Sequence, residues 1–304
     1  MRWIKKGFIY GPGPTLLWAK DSALTPTPLL LDEETIRIYA GFRDASGVSR
    51  IGFVDLDSSA PNIIKRVSSQ PALNIGSNGM FDDNGVILGD VVRVGGDIRM
   101  YYVGFQLVSK VKFLAFSGLA ISKDGGSTFE RYALAPILDR ANDSLFIRAI
   151  HSVLRIGDYF HIWYASGNEW EIINGAPYPQ YRIRHTISAD GLSISSEGSV
   201  CIDIEGLEYR IGRPRVFQLG DKFFMHYTRG STDGQYLAGL AESFDGISWR
   251  RIDSELGISL SQSGWDSKHL CYPALLTVKD KIYMFYNGND MGKAGFGYAE
   301  LESM

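Results

Sequence analysis

Arginine is the residue type that stands out at positions where chemistry could occur. Arg148, Arg210, Arg213 and Arg215 lie in two short stretches, FIRAIH and EYRIGRPRV, with His151 close to the first. His269 and Tyr272 occupy a comparable place further on, in SKHLCYP. A guanidinium offers a planar fork of donors that matches a carboxylate or phosphate, so several around one opening would select an anionic ligand. Arg213 and Arg215 are two apart, which in a strand puts them on one side. Carboxylates form a second set: Asp82 and Asp83 in FDDNG, Glu208 in EYRIG and Asp266 in GWDSK. Acid–base work needs one protonated and one ionised carboxyl held across a reacting bond. Trp170, flanked by Glu169 and Glu171, offers an aromatic face for stacking.

These residues fall at repeated places because the chain itself repeats. A strand ending in tyrosine and closed by glycine recurs as IRIYAG (36–41), IRMYYVG (98–104), FHIWYASG (160–167), FFMHYTRG (223–230) and IYMFYNG (282–288). The tyrosines Tyr39, Tyr102, Tyr164, Tyr227 and Tyr286 are spaced by 63, 62, 63 and 59 residues. An apolar stretch and a short polar turn precede each copy, which predicts a hairpin. A third strand follows, and SKDGG, SADG and SFDG then supply Asp-Gly turns into a fourth. No helical period of useful length interrupts the pattern. The prediction is an all-β chain, one domain over residues 1–304, folded as a five-bladed β-propeller of four-stranded antiparallel blades. The N-terminal WIKKGFIYG would close the ring by completing the last blade. A β-sandwich could hold as many strands but would not require five equal periods.

Composition narrows the function classes. With 304 residues and 45% apolar content the chain can bury a large core, and a formal charge of −3 provides no basic field for nucleic acid. Cys201 and Cys271 are too far apart to suggest a zinc pair or a disulfide framework. The first residues have no apolar run of signal-peptide length and no stretch could span a bilayer as a helix, so a cytoplasmic protein with no membrane partner is expected. No cofactor and no metal are expected.

Counting thirteen residues back from the repeat tyrosines gives Pro26, Gly89, His151, Pro214 and Pro273, a shared position near the start of each inner strand. There the chain resembles the five-bladed glycoside hydrolase superfamily that includes families 43, 32, 62 and 130. In family 43, Asp-Pro, Ala-Pro-Asp and Glu-Gly-Pro supply the general base, an orienting carboxylate and the general acid. Leu88-Gly89-Asp90-Val91 resembles the second motif, with Asp90 in the orienting place. Thr25-Pro26 and Gly212-Arg213-Pro214 stand where the other two would be, so the family base and acid are unmatched. Asp83 and Glu208 are the nominees for those roles, since cleavage of a glycosidic bond needs two carboxyls. Arg148, His151, Trp170, Arg213, Arg215, Asp266, His269 and Tyr272 are the nominees for substrate contact. The resemblance implies a carbohydrate-active enzyme of the glycoside hydrolase kind, with a glycan, acidic or neutral, as its partner. A glycoside phosphorylase using phosphate and a carbohydrate-binding propeller without chemistry are the alternatives. Ser122–Phe129 also resembles the Asp-box of sialidases, a stabilising outer hairpin that does not mark an active site.

Overall fold

The computed structural model describes residues 1–13, 15–194 and 198–303. In chain order the strands are β1 (Arg2–Tyr10), β2 (Asp21–Asp32), β3 (Thr35–Arg43), β4 (Ser49–Asp57), β5 (Ile64–Val67), β6 (Val86–Val94) and β7 (Asp97–Gln106). There follow β8 (Leu114–Ser122), β9 (Glu130–Arg131), β10 (Ile147–Ile156), β11 (Tyr159–Ile173), β12 (Ala176–Ser188) and β13 (Ser199–Ile202). The last are β14 (Glu208–Leu219), β15 (Lys222–Ser231), β16 (Tyr236–Ser243), β17 (Arg250–Arg251), β18 (Cys271–Val278), β19 (Lys281–Asn287) and β20 (Phe296–Ser303). Among the described residues helix is confined to single turns at Asp253–Glu255 and Asn289–Gly292. Among the described residues no helix is long and apolar enough to cross a membrane.

The expected hairpins form antiparallel meanders. β2 to β5 make one four-stranded sheet, and β1 joins β20, β19 and β18 in another. The remaining strands form three meanders, β6–β9, β10–β13 and β14–β17, joined into one twelve-stranded sheet by short parallel contacts between β8 and β10 and between β12 and β14. Among the described residues no closed sheet runs through all of them. The tyrosines of the repeat all lie in the second strand of their hairpin, in β3, β7, β11, β15 and β19, and each is at most 1% exposed. These strands read as apolar runs more than as alternations because neighbouring sheets cover both of their faces. Separate apolar clusters lie between successive meanders, and one packs Ile36, Ile38 and Phe42 of β3 against Phe285 of β19 and Phe296 and Tyr298 of β20.

Two devices recur. Gly118 faces Tyr102 and Gly239 faces Tyr227 across their ladders, and a Cβ on either glycine would come within 2.3 Å and 2.1 Å of the ring. The glycine in SGLA and AGLA is therefore there to seat the tyrosine. The Asp-Gly turns staple one sheet to the preceding one: Tyr39 Oη donates to Gly126 O (2.8 Å), Tyr101 Oη to Gly191 O (2.8 Å), and Trp163 Nε1 to Gly246 O (3.1 Å). Within each turn an aspartate, Asp124, Asp190 or Asp245, accepts from the backbone amides that follow it.

Three histidines are buried uncharged. Burial lowers the His226 pKa to about 3, and neither ring nitrogen has a hydrogen-bond partner between Phe217 and Trp3. His185, beside His161, is lowered to about 4 by burial first and that neighbour second, and His151 also lies well below its usual value. Unfolded imidazoles titrate near 6.5. The stability they contribute is therefore complete above that pH and is lost as pH falls toward the folded values, each group steepening the loss by about 1.4 kcal/mol per pH unit. Urea unfolding at pH 7 and pH 5 should show this decline. His226→Phe should raise stability at pH 7 by about 1–3 kcal/mol, because it removes two unsatisfied polar atoms, and should flatten the acid slope. A destabilised His226→Phe would mean that the imidazole has a partner in solution.

Candidate functional site

The first strand of every meander breaks register at one equivalent place. The breaks fall between Leu24 and Thr27 in β2, Leu88 and Asp90 in β6, Ile150 and Ser152 in β10, Gly212 and Arg215 in β14, and Cys271 and Ala274 in β18. These are the positions counted back from the tyrosines. A bulge kinks a strand and re-aims the residue it extrudes. Thr25, Arg213 and Tyr272, each just before a proline, adopt positive φ of 57°, 55° and 56°. Such backbone costs of order 1–3 kcal/mol per residue and persists only where the surroundings impose it. The neighbours do so at two of them: Thr25 N donates to Asn287 Oδ1 (2.7 Å) and Tyr272 N to Thr228 Oγ1 (2.9 Å). Gly89 is fixed by sterics, since a Cβ there would lie 2.2 Å from Ile150 O.

Around these bulges lies a cavity of about 440 Å³. Thr25, His151, Arg213 and Tyr272 reach it from the bulges themselves. Ser49 and Tyr236 reach it from the starts of third strands and Tyr181 from within another, and Arg43, Lys112, Arg210 and Asp290 complete the charged lining. Four cations thus face one carboxylate. Arg213 donates to Leu88 O and to His151 Nδ1 (3.0 Å), so the neutral His151 keeps its proton on Nε2. Burial first, and then Arg215, lower the Arg213 pKa to about 10. The Arg213 guanidinium stands 5.6 Å from the Tyr272 ring centre, and Tyr272 shares a hydroxyl–hydroxyl hydrogen bond of 2.8 Å with Tyr236. Arg210 lies over Tyr236 at 4.5 Å and Tyr209 at 4.9 Å, and touches Met291 Sδ at 3.6 Å. Among the described residues neither Arg210 nor Arg213 forms an ion pair, and the Nε of each is buried without a partner.

The other nominees lie elsewhere. Asp90 is 3% exposed; it accepts from Val91 N (2.8 Å), Val153 N (2.7 Å) and Arg215 Nη1, which ties β6, β10 and β14 together. Arg215 also donates to His151 O at 3.1 Å. Asp83 adjoins the cavity-lining Asn84 and accepts from Gly79 N (2.8 Å) and Asn84 Nδ2 (2.7 Å). Glu208 is held by Arg251 through two hydrogen bonds (2.9 and 2.7 Å) and accepts from Glu205 N (2.9 Å). Burial pushes its pKa up, but these contacts outweigh that and hold it below the usual range. Asp266 binds Lys5 (2.5 Å) and Tyr286 Oη (3.0 Å), linking its loop to β1 and β19. Arg148 donates to Asp139 O (2.8 Å) and faces the Tyr164 ring. Trp170 packs edge-on against Phe113, itself a cavity-lining residue. His269 lines an adjoining cavity of about 340 Å³.

Sequence reasoning passed over Arg43, Lys112, Tyr181, Tyr236 and Asp290, and left Arg210 without a role. A signal existed for two of them. Arg43 and Asp290 each stand four residues after a repeat tyrosine, as equivalent to one another as the positions counted backward. Among the described residues no group of three or more His, Cys, Asp or Glu could hold a metal ion.

No protein-family model matches the chain. Solved structures share its fold: a glycoside hydrolase at TM-score 0.75 and 17% identity, covering 99% of this chain and 93% of the other. A thermostable family-43 glycoside hydrolase is similar at TM-score 0.68 and 15% identity, with coverage of 96% and 91%. So is a structure from family 130, described as mannoside phosphorylases that include hydrolases of β-1,2 mannosidic linkages, at TM-score 0.68, 13% identity and coverage of 99% and 90%. This chain has the fold that these solved structures share. In sequence, 32% of 305 aligned residues are identical to the uncharacterized protein Rv1502 of Mycobacterium tuberculosis, over the full length of both chains, and the chain belongs to that protein's family.

Proposed function

We propose that this chain is a carbohydrate-active enzyme, a five-bladed propeller whose ring is completed by β1, that takes an anionic sugar or sugar phosphate into the cavity at its bulged strands. The observation that carries this is the pair Arg210 and Arg213: one half-buried and one buried guanidinium in one cavity, each with an unpartnered buried Nε and, among the described residues, no carboxylate partner. Buried charges are paired in folded proteins or are costly. An anionic ligand is the partner these two lack. The apolar clusters between every successive pair of meanders, the last against the first included, support the five-bladed ring. Two free cysteines suit the cytoplasm.

A specific observation favours phosphorolysis over hydrolysis as the chemistry. Hydrolysis by the family route uses two carboxyls, and among the described residues Asp290 is the single carboxylate in the lining. Phosphorolysis uses one: a phosphate oxygen bonds to the anomeric carbon, the glycosidic C–O bond breaks, and the departing oxygen takes a proton from the acid. The products are a sugar 1-phosphate and a free hydroxyl. Asp290 would serve as that acid, with the cavity cations holding the phosphate. Hydrolysis through Asp83 and Glu208 would require Glu208 to leave Arg251.

The test is calorimetric titration of uronic acids, hexose phosphates and their neutral counterparts, followed by product analysis of oligosaccharides with and without inorganic phosphate. Binding of acidic ligands in preference to neutral ones, and turnover only with phosphate, is expected. Equal affinity for neutral sugars would remove the anion reading, and turnover in its absence would restore hydrolysis.

A further inference from the structure

The cavity does not end at Arg210. A second cavity of about 340 Å³ adjoins it, and Arg210, Tyr236 and Met291 line both. The two differ in charge. The first carries Arg43, Lys112, Arg210 and Arg213 against Asp290. In the second, Arg210 is opposed by Asp233 and among the described residues no other lysine, arginine, aspartate or glutamate contributes, so the formal charge of its lining is zero.

The second cavity also has the side chains of a hydroxyl-binding surface. Asn174, Ser231, Thr232 and Gln235 provide donors and acceptors. Ser231 and Gln235 are held in place by a compact turn in which Asp233 accepts from Ser231 Oγ (2.5 Å) and Gln235 Nε2 (3.0 Å). His269 accepts the Asp290 amide at Nδ1 (2.8 Å), which leaves Nε2 as its donor. Tyr178 and Tyr209, edge to face at 5.9 Å, add aromatic surface of the kind sugar rings pack against. Asp290 and Met291 both adopt left-handed backbone at the junction, with φ of 56° each, and place their side chains in the lining shared by or adjoining the two cavities.

We infer that the second cavity is a subsite for an uncharged sugar unit, so that the substrate is an oligosaccharide with its anionic unit in the first cavity and a neutral unit in the second, Arg210 lying at the junction. This rests on the anion reading of the first cavity and adds the length and polarity of the substrate. Arg210 then acts as a specificity residue that spans both units, with its fork toward the anion and its stem beside the neutral ring. The surrounding polar groups can serve hydroxyls of either orientation, while the balanced charge offers a second anion no advantage.

The probes are uronic acids and hexose phosphates, each titrated as the monosaccharide and as its disaccharide with an uncharged hexose, together with neutral disaccharides. Wild type should bind an acidic disaccharide about tenfold or more tighter than the matching monosaccharide, the gain expected from two or so neutral hydrogen bonds. Gln235→Ala and Tyr178→Ala, both outside the first cavity, should cut that advantage to within about threefold and leave monosaccharide affinity unchanged. Equal binding of acidic monosaccharide and disaccharide would overturn the second subsite and leave the anion reading intact. If neutral disaccharides bind as well as acidic ones, and the two variants weaken them, the anion reading falls and the subsite stands. Failure of every probe to bind would overturn both.

Discussion

Asp90→Ala is expected to lower the free energy of unfolding by about 3–5 kcal/mol, the cost of leaving one member of a buried ion pair without its partner. The substitution strands Arg215 in a site where its other contacts are the carbonyls of His151 and Gly89, and it also removes the acceptor of the Val153 amide. Three strands, β6, β10 and β14, lose their common tie. Urea unfolding measures the effect, and an unchanged slope would show that the loss is one of stability and not of native compactness. Asp90→Leu combined with Arg215→Met separates pairing from packing. Because both charges are then absent, the double variant should recover most of the loss. A double variant no better than Asp90→Ala would mean that the Val91 and Val153 amides, not the arginine, make the carboxylate necessary.

The second large effect concerns binding. Arg213→Lys should weaken an acidic sugar by about 1.5–3 kcal/mol, the range for hydrogen bonds to a charged group, which is about 10- to 150-fold in Kd. A lysine keeps the charge but loses the fork, and from the strained backbone of residue 213 it cannot reproduce contacts to Leu88 O, His151 and a ligand together. Arg210→Lys should act similarly, since it loses the planar stacking on Tyr236 and Tyr209. Neutral sugars should bind these variants as they bind wild type. The contrast with Arg215 is the informative part. Arg215 is paired with Asp90, so a lysine there, which keeps the charge but not the reach and geometry of that pair, should let the domain unfold more readily, whereas Arg213 is paired with no carboxylate among the described residues and its replacement should be read mainly in affinity. Calorimetry and urea unfolding on Arg213→Lys and Arg215→Lys would show the two effects divided between them. Loss of stability alone in Arg213→Lys, with ligand affinity kept, would make Arg213 a structural residue.

Local rules carried the sequence a long way. Strand, turn and Asp-Gly hairpin are decided within a few residues, so the tyrosine-glycine repeat located the five second strands, and counting back thirteen residues, read as a position near the start of each inner strand, landed on the register break that the five first strands share. His151, Arg213 and Tyr272 were legible as cavity residues for the same reason: equivalent offsets in a repeat arrive at equivalent radii. What only tertiary structure decided is which charge meets which. Arg213 and Arg215 look alike in sequence, two apart and alternating onto one side, but the bulge at Arg213 interrupts that alternation. One of them then lines the cavity while the other finds Asp90, 125 residues away. Glu208 reads as a candidate acid until Arg251, 43 residues on, closes on it. Lys112 carries no such signal and enters the cavity only because the strands on either side of its loop assemble around it. Hydrogen bonds within a hairpin depend on neighbours in the chain, whereas the pairing of a long side chain depends on the relative placement of whole sheets. Burial of their apolar faces sets that placement, and no short stretch of the sequence records it.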